Sequence, residues 1–229
     1  MLHLIIVKTM LLNVFPTLIR FGTITPSESD LEASLSVLNA YFDQSSKGDY
    51  GLESGLSTGS QRGGKELFDH EELDWLTHPI MVEAADYWRN DLNYRKDWHI
   101  YLDSMWSNKH SEGDTTGEHC HKSGRGKSDV SIVYYLQKQK GAGNIEFKNP
   151  LEQIWRMLPL DEDYDDWVRD DYYHQGVQYD WQEVDAESYN YIIFPSWLKH
   201  RTQPSKGDRI AISINVAGCP IDPTEGDFD

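Results

Sequence analysis

Arg209-Ile210-Ala211-Ile212-Ser213-Ile214-Asn215-Val216 alternates without a break. In an extended chain successive side chains point to opposite faces. Ile210, Ile212, Ile214 and Val216 therefore form one wholly apolar face, and Arg209, Ala211, Ser213 and Asn215 form the other. On a surface strand the second row would face water. On a strand whose apolar face is covered by helices, the same row lines the inside of a barrel, and an arginine there needs an anion. A guanidinium grips a carboxylate with two parallel donors, which lysine cannot do, so one end of a dicarboxylate suits Arg209.

Working outward, the same period-2 pattern recurs. Trp98, Ile100, Leu102 and Trp106 alternate with His99, Tyr101 and Asp103, and further strands are expected over 130–137, 144–147 and 189–194. Strands bounded by Gly and Pro, with almost no helix between them, point to a sandwich or jelly roll. Before them the period is helical. Ser29 and Glu32 have the spacing of a capping box ahead of a Leu31, Leu35, Leu38 and Phe42 stripe, and a second helix is expected to open at Pro79 and run through Ile80, Ala84, Tyr87, Trp88 and Leu92. Residues 45–64 are Gly/Ser-rich and read as a long loop, and residues 11–20 as a first strand, with Met10 a second possible start of translation. Between residues 161 and 190 eleven carboxylates face one cation, Arg169, which reads as a solvated insertion over one rim.

At 229 residues the chain suits one domain: helices and loop over 16–96, then a core over 97–218 carrying the acidic insertion at 150–188. Twenty-one basic against 38 acidic residues give a net charge of −17, which repels phosphate backbones and argues against nucleic acid as a partner. Two cysteines, Cys120 and Cys219, form no framework, so a reducing cytoplasm (the host's, if the protein is phage-encoded) is the expected location. The apolar start of the chain carries Lys8 in its middle and no cleavage site, so secretion is not expected, and no segment is long enough to span a membrane.

The chemistry-bearing residues are His119 and His121, which flank Cys120 just before a strand, and His200, nine positions before Arg209. Together with Tyr134-Tyr135-Leu136, the Gly141-Ala142-Gly143-Asn144-Ile145-Glu146-Phe147 turn and strand, and Phe194-Pro195-Ser196-Trp197, they resemble the catalytic core of an iron(II)/2-oxoglutarate dioxygenase. The resemblance is to the prolyl-hydroxylase-like group of bacteria and phages and covers about 98–216. It implies a mainly β (α+β) fold: a double-stranded β-helix, or jelly-roll, core with N-terminal helices packed on the major sheet. It also implies Fe(II), 2-oxoglutarate and O2 as cofactor and co-substrates, and hydroxylation of an aliphatic carbon of a peptide or small molecule, with 2-oxoglutarate decarboxylated to succinate.

The same resemblance implies that His119, His121 and His200 bind iron, with Cys120 pointing away. It makes Arg209 the clamp for the distal carboxylate, Tyr135 its hydroxyl partner, and Ser213 and Asn215 weaker candidates. The departure is His121, where the family has Asp or Glu. That leaves an active three-histidine site, a carboxylate supplied by Asp114 or Glu118, or a site that binds metal without turnover. Two other functions share the ligands: a cupin-like jelly-roll module that only binds metal, and a three-histidine thiol dioxygenase. Histidines 3, 70, 78, 99, 110 and 174 are read as structural or solvated.

Overall fold

The computed structural model describes residues 17–48, 54–60, 66–122, 128–151 and 181–221. Its strands are β1 (Arg20–Thr23), β2 (Leu56–Ser57), β3 (Trp98–His110), β4 (Val130–Lys138), β5 (Ile145–Lys148), β6 (Trp181–Val184), β7 (Asn190–Pro195), β8 (His200–Thr202) and β9 (Arg209–Pro220). They form a six-stranded sheet in the order β1-β7-β4-β9-β3-β2 and a three-stranded sheet in the order β6-β5-β8, with every pairing antiparallel. This is the double-stranded β-helix expected from the sequence.

Two helices, α1 (Glu28–Phe42) and α2 (Asp74–Asp86), cover one face of the large sheet. Leu38, Phe42, Leu76, Ile80, Tyr87 and Trp88 share a buried cluster with Ile132, Tyr134, Ile210, Ile212, Ile214 and Val216. The apolar face of β9 is thus spent on the helices, as the alternation requires. The opposite face of the sheet meets the small sheet in a second cluster that includes Tyr135, Ala211, Ile145, Phe147, Ile192 and Phe194.

Several local expectations shift. The capping box lies two residues earlier: Ser27 accepts from the Asp30 backbone at 3.1 Å while Asp30 accepts from the Ser27 backbone at 3.3 Å. Ser29 is the second residue inside the helix, and the Leu31, Leu35, Leu38 and Phe42 stripe still packs on the core. The second helix begins at Asp74, with Pro79 inside it. Leu73 and Leu76, both fully buried, tie this earlier turn to the core, and that burial outweighs the hydrogen bond Pro79 cannot donate. After Asp86 the chain widens into a π-turn over Tyr87–Asp91, closed by Leu92 N–H on the Tyr87 carbonyl at 2.9 Å. The first described strand starts at Arg20, where 11–20 was expected, and residues 11–16 lie outside the described part. Within the expected loop 45–64, Leu56–Ser57 instead adds an edge strand to β3. Most of the acidic stretch lies outside the described residues, but its end forms β6 of the small sheet.

The most consequential difference is in β3. Leu102 pairs with Val216 and Ser104 with Asn215, so Asp103 is an extra residue, a β-bulge. A bulge shifts the pleat by one. Trp98, Ile100 and Leu102 pack on the helical cluster, whereas Trp106 crosses to the opposite side and lines the interior with Ser104, Asn108 and His110. Simple alternation placed Trp106 with Trp98, which the bulge corrects.

Candidate metal centre

Two of the three candidate ligands are fixed by their own backbones. His119 N–H donates to the His200 carbonyl at 3.0 Å and His200 N–H donates to the His119 carbonyl at 2.9 Å, an isolated antiparallel bridge between chain segments far apart in sequence. His121 is tied in by its own N–H to the Ser196 carbonyl at 2.9 Å. In each ring Nδ1 meets an oxygen: the Gly117 carbonyl for His119 at 2.8 Å, the Leu198 carbonyl for His200 at 2.9 Å, and Asn215 Oδ1 for His121 at 2.7 Å. Carbonyl oxygens only accept, so Nδ1 carries the proton in all three and Nε2 keeps its lone pair. The three potential ligand atoms lie within 4.8 Å of one another.

The donor set fits a divalent ion. Nε2 of His119 and of His121 are 3.2 Å apart, and two ligands each about 2.1 Å from a shared ion would be that far apart at an angle of about 100°. Two nitrogens with no proton between them have no other reason to approach so closely. Three imidazoles on one side leave further positions open, as a non-haem iron site needs. Protonation would abolish the site, and the fold opposes it. Burial, then the proximity of His119, pushes His121 down to about 4, against the hydrogen bond to Asn215. Burial likewise lowers His119, and lowers His200 well below its ordinary value, with His119 and His121 adding to the latter effect.

Neither alternative carboxylate reaches this cluster. Glu118 pairs outward with Lys199 at 2.7 Å and Lys148 at 3.1 Å, and Asp114 accepts from the Ser111 backbone at 2.9 Å. Among the described residues the candidate ligand group is histidine only. Asn215, which holds His121, is itself held: Ser131 donates its hydroxyl to Asn215 Oδ1 at 2.9 Å and Asn215 Nδ2 donates to Ser104 Oγ at 3.1 Å.

The same cavity, about 320 Å³, is lined by the three candidate ligands and the co-substrate candidates from the sequence: His119, His121, His200, Tyr135, Arg209, Ser213 and Asn215. That volume sits at the lower end of the roughly 300–1,000 Å³ typical of small-molecule sites. Arg209 stands at the far end from Asn215 along β9, with the small Ala211 and Ser213 between them leaving the space open. It is 1 % exposed, and no carboxylate pairs with it among the described residues. Burial lowers its pKa, with Tyr135 acting in the opposite sense. Tyr135, buried on the neighbouring strand β4 of the same sheet, is pushed up to about 12 by burial despite the nearby Arg209 charge, so it stays a neutral hydroxyl. Asn108 Oδ1, in the same lining, is buried without a hydrogen-bond partner.

Sequence reasoning missed His110. It is 2 % exposed, lines the cavity and sits opposite Arg209 in the β3 and β9 register. Its signal was the same alternation that picked out Arg209, hidden until the bulge at Asp103 is counted. Burial, then the Arg209 charge, pushes it down to about 4, so it is a neutral ring.

A jelly roll whose interior offers convergent neutral imidazoles at one end and an unpaired guanidinium at the other has the layout of a non-haem iron oxygenase that takes a keto acid. Residues 104–215 match the family described as "Putative 2OG-Fe(II) oxygenase", and this part of the chain, which carries every residue lining the cavity, is that of an iron(II)/2-oxoglutarate-dependent oxygenase. Among solved structures it is similar to a prolyl hydroxylase from Trichoplax adhaerens in complex with a hypoxia inducible factor peptide fragment (TM-score 0.56, 13 % identity, covering 87 % of this chain and 83 % of that one). It is also similar to the viral collagen prolyl hydroxylase of Paramecium Bursaria Chlorella virus-1 in its 2-oxoglutarate complex (0.51, 10 %, 86 % and 94 %). A third is the α-ketoglutarate-dependent epimerase SnoN from nogalamycin biosynthesis (0.55, 12 %, 91 % and 86 %). No curated protein sequence matches the chain. At these identities the structural likeness shows the fold. Among the described residues no helix is long and apolar enough to cross a membrane.

Proposed function

We propose that this iron(II)/2-oxoglutarate-dependent oxygenase hydroxylates an aliphatic carbon, in the manner of a prolyl hydroxylase, at a three-histidine site. His119, His121 and His200 hold the ferrous ion through Nε2, and Arg209 holds the distal carboxylate of 2-oxoglutarate with the Tyr135 hydroxyl beside it. The observation that carries this reading is the pairing of the two ends: a neutral ligand set that needs a cation, and a buried cation that needs an anion, in one cavity. Bound there, iron supplies oxygen activation coupled to the decarboxylation of 2-oxoglutarate to succinate.

The protein's own residues do the positioning. The carbonyls of Gly117 and Leu198 and the amide of Asn215 fix the imidazole tautomers. The guanidinium sets the direction in which a dicarboxylate can lie, and the helix-covered sheet behind Ile212 and Ile214 keeps water from that side. A metal-storing cupin-like module leaves Arg209 unexplained, because a buried cation weakens a site built only to hold a divalent cation. A thiol dioxygenase leaves the distal anion pocket equally without use.

The substrate is a peptide or small molecule, and a chain of net charge −17 suits a neutral or basic one. The deciding assay loads the protein with Fe(II) without oxygen, adds 2-oxoglutarate and then O2, and measures succinate. Succinate formed in proportion to iron is expected. A fully iron-loaded protein that makes none, with or without proline-containing peptides, would overturn the proposal.

A further inference from the structure

The guanidinium of Arg209 is gripped by a group that the reaction described so far does not use. Its Nε–H and one Nη2–H both point at His110 Nδ1, each at 3.2 Å, and Nη1 donates to the carbonyls of Ala142 at 3.2 Å and Gly143 at 2.9 Å. An imidazole nitrogen accepts only when it carries no proton, so the ring proton lies on Nε2, which donates to Thr116 Oγ1 at 3.1 Å. The ring is also wedged from behind. Gly55 adopts φ +101°, and a Cβ there would lie 2.9 Å from His110 Cδ2. Thr116 is held in turn, its N–H on Thr202 Oγ1 at 2.9 Å. Of the guanidinium's hydrogens, only the second on Nη2 has no protein partner among the described residues.

The choice of acceptor matters. Where an arginine must be oriented, Asp or Glu is the usual partner, and its charge would cancel the one that attracts a ligand and compete for the same N–H groups. A neutral imidazole fixes the rotation of the guanidinium while leaving its positive charge uncompensated. We propose that His110 is a positioning residue for the co-substrate: its Nδ1 lone pair, braced by Thr116 and Gly55, turns the free Nη2–H of Arg209 into the cavity without neutralising it. This rests on Arg209 being the anchor for the distal carboxylate.

The test is a calorimetric titration of 2-oxoglutarate into the iron-loaded protein without oxygen, with succinate turnover measured separately. Five proteins are compared: wild type, His110→Asn, His110→Leu, His110→Asp and Arg209→Met. Asn presents a neutral acceptor close to where Nδ1 stood and should bind within about threefold of wild type. Leu has the bulk but no acceptor, and should bind about tenfold or more weaker while kcat at saturating 2-oxoglutarate stays within about threefold, because only orientation is lost. Asp has an acceptor but also a charge, and should bind weakest, by about a hundredfold.

Equal affinities for Asn and Leu, or an Asp variant that binds like wild type, would overturn the proposal. If Leu fails to retain iron, the Asn and Asp pair decides alone, and equal affinities there sink it. Arg209→Met binding as tightly as wild type would remove the assignment of Arg209 and this inference with it. Loss of binding in Arg209→Met alongside wild-type binding in His110→Leu would sink the inference alone.

Discussion

The two ends of the cavity solve opposite electrostatic problems with the same side chain. At one end three histidines, each with its Nδ1 proton fixed on a neighbouring oxygen, turn their lone pairs toward one another; at the other a fourth, His110, points its lone pair at the Arg209 cation. Neutral imidazole serves in both places because burial keeps it neutral. The metal end lacks positive charge and the arginine end lacks negative charge, so each is completed only by what binds between them. The substitution of His121 for a carboxylate fits this division. It leaves the metal end without a protein anion and makes the bound dicarboxylate a larger part of the charge balance there.

The sharpest way to break the comparison is to empty one end. His200→Ala removes the most buried ligand, and iron content should fall to background with succinate formation lost; retained iron would show that the three rings are not the ligand set. At the opposite end, Arg209→Met should leave iron content unchanged and weaken 2-oxoglutarate by about 2–5 kcal/mol, seen as a rise in its KM, since the variant leaves the carboxylate buried and unpaired. Loss of iron in that variant would mean the two ends are not separable.

Acid should act on the chelator-treated protein. His110 binds its proton at about 4 in the fold against an ordinary 6.5, so between those values the unfolded chain holds more protons than the folded one. Stability is therefore full above about 6.5 and falls as the pH drops toward 4, by something of order 3 kcal/mol from His110, with His121 adding in the same sense. Urea unfolding at neutral pH and at about 4.5 measures this loss, and His110→Asn should remove the His110 share of it while the share of the other buried histidines stays. The smallest effect sharpens the metal end. Asn215→Ala leaves the Nδ1–H of His121 to Ser131 Oγ, 2.9 Å away, and should lower iron affinity by about tenfold, with 2-oxoglutarate binding at saturating iron little changed.

Much of this was legible in the chain. The alternation in 209–216 identified both the helix-facing row and the cavity-facing row, and the ordered spacing of His119, His121, His200 and Arg209 named residues that the fold gathers into one cavity. Those signals survive because side-chain alternation in a strand is a local property. What was not legible depended on partners distant in sequence. Helix α2 starts at Asp74 because Leu73 and Leu76 find a core supplied by strands 50 and more residues later, which outweighs the preference of Pro79 for a first turn. Ser27 and Ser29 are equally good caps on local grounds. His110 was passed over because nothing in residues 98–110 announces that Asp103 has no partner on β9; only the register does.

That unpaired aspartate also makes β3 a strand with a reading frame. Let Asp103 pair with Asn215 in place of Ser104 and the pleat beyond it inverts: Met105 and Ser107 would turn to the cavity, while Trp106, Asn108 and His110 would be pressed into the packing beneath the helices. A slip of one residue would thus rewrite the seven positions from Ser104 to His110. Deleting Asp103 does the opposite: Leu102 and Ser104 become consecutive opposite Val216 and Asn215, and every residue from Ser104 to His110 keeps its partner and its side. The strand is thus open to the loss of that one residue and closed to a change of length beyond it, a different kind of constraint from the one on the histidines, where identity and not count is what cannot vary.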